Sequence, residues 1–438
     1  MKIYLDTIGC RLNQAEIEQY ARQFRLAGHT LVASPEQADL AVVNTCAVTS
    51  AAVSDSRQKI RQLERHGVRQ IAVTGCWSTL NPAEAAALTG VCRVIPNLEK
   101  DRLVPGLLQI SLPEFDPQTA SCPPVGEPLV DRLPVDRSRI PGARARTRAF
   151  IKVQDGCDNR CTFCVTTLAR GPGRSRPIPD ILADIHLAAD AQEIVLTGVH
   201  LGSWGQDLSP ASHLYHLVET ILKEIALPRL RLSSLEPWDL EAGFFKLWQD
   251  PRLCRHLHLP LQSGCAATLR RMARKTTPES FAGLVAAARL AIPDVAITTD
   301  IITGFPGESE AEFQESLAFV RQMRFAGGHV FTYSARPGTA AAPLPDQVPH
   351  LLRKERNARL RLLFAEASQA YRSAFIGQVL PVLWESAVGS SVEGWEMSGL
   401  TGNYLRVHAR SSRSLWNQIT PVRLSAMTSE GLFGQVQI

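Results

Sequence analysis

The stretch FIKVQDGCDNRCTFC, residues 150–164, predicts both the start of the central fold and a candidate metal site. Its first five residues are β-prone and predict a strand, Phe150–Gln154, that leads directly into a loop. Three cysteines stand in that loop as C-x3-C-x2-C, at Cys157, Cys161 and Cys164. Thiolates spaced this closely can bind three corners of one cubane iron–sulfur cluster, which leaves one iron open to a substrate or cofactor. Structural zinc is the alternative, but it requires four protein ligands and the loop offers three.

On the carboxyl side of this loop, short apolar runs alternate with stretches of helical periodicity. Together with the first strand, the predicted strands are Phe150–Gln154, Glu193–Thr197, Arg229–Ser234, His256–Leu261, Val295–Ile302 and Gly328–Tyr333. Six strand–helix repeats predict a curved parallel sheet, a partial (β/α)6 barrel over residues 150–353. In such a barrel the chemistry is expected at the carboxyl ends of the strands.

The first 104 residues show the same alternation on a shorter scale. The predicted strands there are Lys2–Thr7, Asp39–Thr45, Gln70–Thr74 and Cys92–Pro96. Strands and helices in this rhythm predict a small parallel α/β domain over residues 1–104.

Residues 105–149 contain eight prolines and show no sustained periodicity, which predicts a linker. The second half of this linker carries six arginines, Arg132, Arg137, Arg139, Arg144, Arg146 and Arg148. Two interpretations remain open for these arginines: a solvated connector, or an arm that contacts phosphates beside an active site.

The last part of the chain begins with a charged helix over residues 354–373. Residues 374–438 then place glycines between short β-prone runs, which predicts a small antiparallel β-barrel. Four arginines and four glutamates give this block a net charge of zero. A nucleic-acid contact there therefore requires a local patch, such as Arg406–Arg413 with Tyr404 and His408.

Composition limits the class of protein. Lys+Arg 47 against Asp+Glu 42 leaves a net charge of +5, which permits acidic partners without requiring them. Hydrophobic residues at 45% and charged residues at 20% are globular values, and they exclude disorder, collagen and coiled coil. Because no apolar run reaches the ~18 residues of a membrane span and MKIYLDTIGC is no signal peptide, we expect a cytoplasmic protein without a membrane partner. In a reducing compartment, ten cysteines are first interpreted as metal ligands or redox groups.

Three further cysteines, Cys10, Cys46 and Cys76, each follow a predicted parallel strand, in IYLDTIGC, AVVNTC and IAVTGC. The carboxyl ends of parallel strands lie along one edge of a sheet, so we expect these thiols to converge and to bind a second cluster. The alternative is that each is a small buried residue that closes a strand. Structural roles are expected for the other four cysteines, Cys92, Cys122, Cys254 and Cys265.

The two cysteine trios occur within longer motifs, DGCDNRCTFCVTTLARG (155–171), GCRLNQAEIE (9–18), NTCAVTSAAVSDSRQKIR (44–61), VTGC (73–76), TGVHLGSWG (197–205), SSLEP (233–237), HLPLQSGC (258–265) and DIITGFPGE (300–308). Together these motifs resemble the radical S-adenosylmethionine methylthiotransferase family over the whole chain. Within the family, GCRLN and NTCAVT are most similar to the branch that acts on N6-threonylcarbamoyladenosine in tRNA. The resemblance also identifies the last block as a TRAM barrel.

The resemblance implies two [4Fe–4S] clusters and S-adenosylmethionine as cofactors. One S-adenosylmethionine would donate a methyl group to a sulfur on the amino-terminal cluster. A second would yield a 5′-deoxyadenosyl radical, and methylthio would be placed on C2 of the modified adenosine at position 37, in the tRNA anticodon loop. Radical chemistry is required because the C2–H bond is not acidic, so no general base could activate it at ordinary pH. An electron donor such as a flavodoxin or ferredoxin and a sulfur source are implied as partners.

Individual residues carry over from the family motifs. Phe163 matches the position that packs on the cofactor's adenine, and further cofactor contacts are implied for Gly198, Glu236, Gln262 and Asp300, which we place at the ends of strands. For the two acids, a helix cap or an ordinary salt bridge is the alternative. RNA phosphates are expected to meet Arg170, Arg174, Arg176, Arg406 and Arg410.

One segment departs from the branch pattern. Val165, Thr166, Thr167 and Leu168 stand where the branch usually has an apolar pair followed by Pro-Tyr, so we expect substrate orientation or efficiency to differ. Three alternatives to the leading function remain open: methylthiolation of isopentenyladenosine in tRNA, methylthiolation of a ribosomal-protein aspartate, and a non-catalytic iron–sulfur or zinc protein that binds RNA.

Overall fold

A computed structural model describes residues 1–109, 147–390 and 394–437 of the chain. The chain divides into two compact units. The first consists of the described part of Met1–Arg146 with Phe150–Asp158 and Val165–Gly173, and the second of Thr147–Ala149, Asn159–Cys164 and the described part of Arg174–Ile438. None of the helices in these described residues is long and apolar enough to cross a membrane.

The first unit is built on a five-stranded parallel sheet. Its strands are β1 (Lys2–Thr7), β2 (Thr30–Leu31), β3 (Leu40–Thr45), β4 (Ile71–Gly75) and β5 (Val91–Ile95), in the order β2-β1-β3-β4-β5. Its helices are α1 (Arg11–Leu26), α2 (Ser50–Arg65), α3 (Cys76–Leu80), α4 (Pro82–Ala86) and α5 (Leu103–Leu108). All residues of β3 and β4 are buried, as expected for central strands covered on both faces. The predicted parallel α/β architecture is confirmed.

The first residues of the predicted linker belong to a helix. Helix α5 continues to Leu108, because Leu107 and Leu108 pack against the core of the sheet formed by residues such as Phe24 and Leu103. Residues 105–108 are therefore helical, and the linker prediction was wrong for them. Most of the predicted linker, 110–146, with Cys122 and five of its six arginines, lies outside the described residues.

The segment around the C-x3-C-x2-C loop forms four short elements, β6 (Arg148–Lys152), β7 (Gln154–Asp155), α6 (Thr166–Arg170) and β8 (Arg174–Ser175). The second unit then continues with α7 (Ile178–Leu187), β9 (Glu193–Thr197), α8 (Leu214–Glu224), β10 (Leu230–Leu232), β11 (His256–His258), α9 (Ala266–Arg271), α10 (Pro278–Ala291), β12 (Ala296–Thr303), α11 (Glu310–Met323) and β13 (Gly327–Thr332). Strands β9 and β10 pair in parallel, as do β11, β12 and β13. A parallel bridge between Ser234 and His258 joins the two groups. With β6, the chain has the six strands predicted for the partial barrel.

Two of the predicted barrel strands are shorter than expected. Strand β11 ends at His258, where the sequence predicts a run to Leu261. Pro260 explains the difference, because proline has no N–H to continue a ladder of hydrogen bonds. Strand β10 likewise covers Leu230–Leu232 and leaves the SSLEP segment as a loop at its carboxyl end.

After helix α12 (His350–Ser373), the described chain closes into a five-stranded barrel. The strands are β14 (Val379–Ser390), β15 (Gly394–Thr401), β16 (Arg406–Ser411), β17 (Ile419–Met427) and β18 (Leu432–Val436), in the order β14-β15-β16-β18-β17. The prediction of a wholly antiparallel barrel was wrong in one pairing, because β16 and β18 run parallel. An odd number of strands cannot alternate direction around a closed ring, so at least one pair must be parallel.

Two buried arginines hold this barrel to β10 within the second unit. Arg229 donates to the carbonyl oxygens of Leu400 and Pro381 at 3.0 and 2.6 Å. Arg231 forms a buried ion pair with Glu193 and also donates to the Gly402 carbonyl oxygen at 3.1 Å. The barrel is therefore attached by buried polar contacts and not only by the chain.

Candidate functional site

Three cysteines come together at the carboxyl edge of the first sheet. Cys46 directly follows β3, Cys76 directly follows β4 as the first residue of α3, and Cys10 lies three residues beyond β1. Burial, together with the charges of Cys10 and Cys76, raises the pKa of the Cys46 thiol to about 11. The Cys10 thiol in turn interacts electrostatically with Cys76. Cys46 and Cys76 are buried, whereas Cys10 is exposed at the rim of the site.

Two glycines make this close approach possible. Gly9 has a φ of +105°, and a β-carbon added to it would lie 2.6 Å from Cys46 Sγ. Gly75 has a φ of +99°, and its added β-carbon would lie 2.3 Å from the Thr45 carbonyl oxygen. Any side chain at either position would therefore push the strand ends, and the sulfurs, apart.

The donor set fits an iron–sulfur cluster. Among the residues that the structure describes, no three His, Cys, Asp or Glu side chains are grouped so as to hold a single metal ion. A cubane cluster makes a different demand, because each thiolate binds its own iron. Three cysteine thiols at neighbouring strand ends, with the Gly9 backbone packed directly against Cys46, meet that demand.

A buried network of charges lies beside these cysteines in the first unit. The Arg170 guanidinium contacts Glu16 Oε1 and Asp155 Oδ1, each at 2.9 Å, and Lys100 Nζ lies 2.6 Å from Asp155 Oδ2 and also contacts Glu16. Lys152 joins the network with its Nζ 2.7 Å from Asp101 Oδ1. Burial raises the pKa of the Glu16 carboxyl, but the neighbouring cations outweigh this and lower it to about 2. The pKa of Asp155 is held well below its usual range by the same balance.

Arg170 therefore has a different role from the one that the sequence suggests. Its side chain is 1% exposed, and its second nitrogen donates to Asn13 Oδ1 at 2.6 Å. A guanidinium enclosed by two carboxylates and an amide cannot reach RNA phosphates, so the prediction that Arg170 binds RNA was wrong. Its positive charge instead opposes, from within the protein, the rise in the pKa of Cys46 that burial causes.

Sequence reasoning missed two asparagines that contact the cysteine sulfurs. The Cys10 thiol donates to Asn13 Oδ1 at 3.6 Å, while Asn13 Nδ2 donates to the Ile8 and Thr45 carbonyl oxygens. Asn97 Nδ2 lies 3.7 Å from Cys76 Sγ. The sequence signals were a polar residue three positions after Cys10 and another just after the fourth long strand of the sheet.

The second trio is local in sequence. Within the first unit, the Cys157 N–H donates to the Gly171 carbonyl oxygen at 3.1 Å. Within the second unit, the Cys164 N–H donates to the Cys161 carbonyl oxygen at 3.0 Å. All three cysteines are of intermediate exposure.

Arg274, which sequence reasoning also missed, contacts one of these sulfurs. Its Nη1 lies 3.7 Å from Cys161 Sγ, and its Nη2 donates to Glu236 Oε2 and to the Pro260 carbonyl oxygen, each at 2.6 Å. The guanidinium also lies 4.4 Å from the centroid of the Trp238 ring. Burial raises the pKa of the Cys161 thiol, and Arg274 opposes that rise. The Glu236 carboxylate thus forms a salt bridge, one of the two alternatives that its sequence context left open.

The remaining predicted cofactor residues lie around the same end of the barrel strands. Gly198 directly follows β9. Phe163 packs against an apolar cluster formed by Met272, Phe305, Tyr333 and Ala341. The positions of Gln262 and Asp300 relative to the strand ends differ from the prediction.

Asp300 is an internal residue of β12, which continues to Thr303, so the prediction that it ends its strand was wrong. Three further residues pair beyond it with β13, up to the Thr303–Thr332 pair, which keeps the strand regular. The Asp300 carboxylate lies 3.3 Å from His258 Nε2. Gln262, with a φ of +73°, donates its backbone N–H to the Asp300 carbonyl oxygen at 2.8 Å.

The other predicted RNA contacts lie in the second unit. Arg176 forms an ion pair with Asp184 at 2.7 Å, and Arg174 begins β8. Arg406 contacts Glu385 at 2.7 Å, whereas Arg410 lies 3.8 Å from Glu396 and keeps 58% of its side chain exposed.

Tyr404 is used within the protein. Its ring stacks on His256 with centroids 4.6 Å apart, and the guanidinium of Arg231, a residue of β10, lies 4.8 Å from the Tyr404 ring centroid. Tyr404 therefore uses its ring for contacts within the protein, and its expected contribution to an RNA-binding patch stays a prediction.

Comparisons with known proteins identify the family of this chain. Residues 2–95 match the family described as "Uncharacterized protein family UPF0004", and residues 151–320 match the radical SAM superfamily. The "Threonylcarbamoyladenosine tRNA methylthiotransferase MtaB" of Bacillus subtilis is 35% identical, covering 95% of this chain and 92% of that protein. The protein of the same name from Thermotoga maritima is 34% identical, with coverages of 98% and 96%. The "Ribosomal protein uS12 methylthiotransferase RimO" of an Anaeromyxobacter strain is 33% identical, with coverages of 88% and 81%.

A solved structure shares the fold. The radical S-adenosylmethionine methyltransferase TsrM from Kitasatospora setae, solved with cobalamin and a [4Fe-4S] cluster, superimposes with a TM-score of 0.55. The alignment covers 78% of this chain and 77% of that one at 14% identity, so the likeness concerns the fold alone.

Proposed function

Because the chain belongs to the radical S-adenosylmethionine methylthiotransferase family, we propose that it methylthiolates C2 of N6-threonylcarbamoyladenosine at position 37 of tRNA. The observation that carries this proposal is the convergence of Cys10, Cys46 and Cys76 at one sheet edge, in addition to the C-x3-C-x2-C loop. An enzyme that only generated a radical would need the loop alone. Relatives named for this tRNA substrate, at 34–35% identity over nearly the full length, support the choice of substrate.

The proposal assigns one [4Fe–4S] cluster to each trio. Cys10, Cys46 and Cys76 would hold the amino-terminal one, and Cys157, Cys161 and Cys164 the other. Bound clusters and S-adenosylmethionine would supply the electron, the radical and the methylthio group that activate and replace an unreactive C–H bond. Flavodoxin or ferredoxin is the proposed class of electron donor, a sulfur source is required, and the cytoplasm is the proposed location.

The chain's own residues would bind and orient the cofactor. Phe163, Gly198, Gln262 and Asp300 are the proposed contacts to S-adenosylmethionine, while Glu236 would act through Arg274. The apolar cluster that supports Phe163 would limit the access of water to that surface, which a radical reaction requires.

Arginines of the second unit are the proposed contacts to RNA phosphates. A nucleoside in a single-stranded loop is accessible to an enzyme that splays its base out. Arg174, Arg176, Arg406 and Arg410 supply positive charge, and Arg410 keeps 58% of its side chain exposed. Arg410→Ala should therefore weaken tRNA binding and reduce its salt slope by roughly one unit. A filter-binding titration at several salt concentrations measures both quantities, and unchanged affinity and slope would exclude Arg410 from the interface.

Nucleoside mass spectrometry on a strain lacking this gene tests the proposed substrate. Loss of the methylthio form of threonylcarbamoyladenosine, restored by the wild-type gene and not by a Cys46→Ala gene, is the expected result. Persistence of that nucleoside, with no second enzyme to supply it, would contradict the proposal. Loss of the methylthio group from isopentenyladenosine or from a ribosomal protein would instead identify one of the two alternative substrates.

A further inference from the structure

Asn97 is anchored to the turn that carries Cys76. It lies two residues beyond β5 and is fully buried in the first unit. Its backbone N–H donates to Thr79 Oγ1 at 3.0 Å, and that hydroxyl donates to the Gly75 carbonyl oxygen at 2.7 Å. Because α3 begins at Cys76, these two hydrogen bonds hold Asn97 in a fixed position relative to the cysteine.

The Asn97 side-chain amide has two acceptors for its nitrogen. Nδ2 lies 3.7 Å from Cys76 Sγ and 2.8 Å from the Ala169 carbonyl oxygen. In the described part of the chain, Oδ1 has no hydrogen-bond partner although it is buried. Because an acceptor left buried and unpaired is unfavourable, the two contacts of Nδ2 are what favour this orientation of the amide.

A hydrogen bond of this kind changes the electronic properties of a cluster ligand. An N–H donated to a thiolate withdraws negative charge from the sulfur, and hydrogen bonds to sulfur are among the factors that set the potential of an iron–sulfur cluster. The residues behind the metal ligands orient them and tune the metal in the same way. Asn97 donates to the Ala169 carbonyl oxygen, and Arg170 donates to Asn13 Oδ1. The segment that follows the second cysteine motif therefore contacts both asparagines.

We propose that Asn97 is a positioning residue for the amino-terminal cluster, holding Cys76 through an N–H···S hydrogen bond and linking it to the Ala169 carbonyl group. This inference rests on the proposed function, because it requires a cluster at Cys10, Cys46 and Cys76. Removing the donor lowers the reduction potential of that cluster. Replacing the donor with a carboxylate lowers it further, since a negative charge then faces the sulfur.

The experiment uses the full-length chain carrying Cys161→Ala, so that the amino-terminal cluster is studied without the other. After anaerobic reconstitution, the parent should bind about four irons per chain. Its potential is then compared by EPR-monitored titration with that of Asn97→Leu and of Asn97→Asp, each in the same background. Asn81→Leu is the matched control, because Asn81 Nδ2 donates to the Trp77 carbonyl oxygen at 3.3 Å and not to a sulfur.

The expected result for Asn97→Leu is a tenfold shift of the reduction equilibrium towards the oxidised cluster, about 59 mV for one electron. Asn97→Asp should shift it further, and Asn81→Leu should leave it unchanged. Electron–nuclear double resonance in H2O and D2O provides a second readout, since both Asn97 variants should lose one exchangeable-proton coupling that the control retains.

The outcomes separate this inference from the proposed function. If Asn97→Leu fails to fold by circular dichroism, Asn97→Asp decides, because it preserves the side-chain volume. If the Asn97 variants keep the reduction potential and the proton couplings of the iron-loaded parent, the role of Asn97 is overturned and the proposed function is not. A Cys161→Ala parent that binds no iron, although it is folded, contradicts the proposed cluster and overturns the inference with it.

Discussion

The two cysteine trios are assembled in opposite ways. Cys157, Cys161 and Cys164 lie within eight residues of one loop and are all partly exposed. Cys10, Cys46 and Cys76 follow three different strands and are 30 or more residues apart in sequence, and Cys46 and Cys76 are each 4% exposed. The first arrangement depends on the conformation of a short segment, whereas the second depends on the register of the whole sheet.

This difference extends to the residues behind the thiols. The sulfur of Cys161 is contacted by Arg274, itself held by Glu236 and Trp238. The amino-terminal thiols are instead supported by neutral amides, with the charge of Arg170 one step further away. We therefore expect the loop trio to be sensitive to single local substitutions, and the sheet-edge trio to be sensitive to the stability of its domain.

The largest expected effect separates the two trios by function. Cys46→Ala should abolish methylthio transfer while reductive cleavage of S-adenosylmethionine continues, because the loop trio remains intact. Cys161→Ala should abolish both reactions. Liquid chromatography of 5′-deoxyadenosine and of the modified nucleoside measures the two activities. Full transfer by Cys46→Ala would show that the sheet-edge cysteines do not carry the transferred sulfur.

The second prediction concerns the buried charges beside the sheet-edge trio. Arg170→Met should destabilise the first unit by about 4 kcal/mol, because two buried carboxylates lose a shared cation. Arg176→Met, which breaks the more exposed pair with Asp184, should cost less than about 1 kcal/mol. Hydrogen-exchange protection of β3 and β4 measures the first effect, and equal losses in the two variants would contradict it.

The same variant should change the acid stability of the first unit. The pKa of Glu16 is lowered on folding to about 2, so its contribution to stability is present above its unfolded pKa and is lost as the pH falls towards 2. Arg170→Met removes a cation that holds this pKa down, so acid unfolding should begin at a higher pH. Circular dichroism between pH 6 and pH 2 records the transition.

A third prediction tests how strictly the sheet edge is packed. Gly75→Ala should destabilise the first unit by about 3 kcal/mol, because the new methyl group would clash with the Thr45 backbone and because the φ of this position is unfavourable for alanine. Gly28→Ala is the matched control, with a φ of +78° and no atom within 4 Å of the added β-carbon. It should cost only about 1 kcal/mol. Comparable losses of exchange protection would mean that φ strain alone, and not the close approach, limits position 75.

The smallest effect is expected at the loop trio. In a Cys46→Ala background, Arg274→Met should lower the potential of the loop cluster and slow cleavage of S-adenosylmethionine by about tenfold, or about 1.4 kcal/mol. The reason is the loss of both a donor and a positive charge at the Cys161 sulfur. Lys275→Met is the control, since its amino group lies over the Trp238 ring, 5.8 Å from the ring centroid. A rate equal to that of the control would leave Arg274 with a purely structural role.

Much of the architecture was predictable because buried positions recur along each strand and helix with a regular spacing, and apolar residues show that spacing in the sequence. Strands β1 and β9 begin and end where the apolar runs predict, and β3 differs from its prediction by one residue. The convergence of the sheet-edge cysteines was predictable for a related reason: parallel strands that each end in a cysteine must present them along one edge. The parallel pair in the closed barrel was not predicted, because it follows from the number of strands in the ring.

The pattern of residues by itself determined the parallel sheets and the family to which the chain belongs, and it selected the six cysteines that we propose as cluster ligands, since each depends on local spacing or on repetition. Only the tertiary structure decided which polar side chains serve those cysteines. Asn97 meets Ala169 across 72 positions, and Arg274 meets Cys161 across 113. Arg170, which the sequence places among the expected RNA contacts, lies in the interior. Its burial and ion pairing depend on the residues that the rest of the fold brings to it and not on its neighbours in the chain.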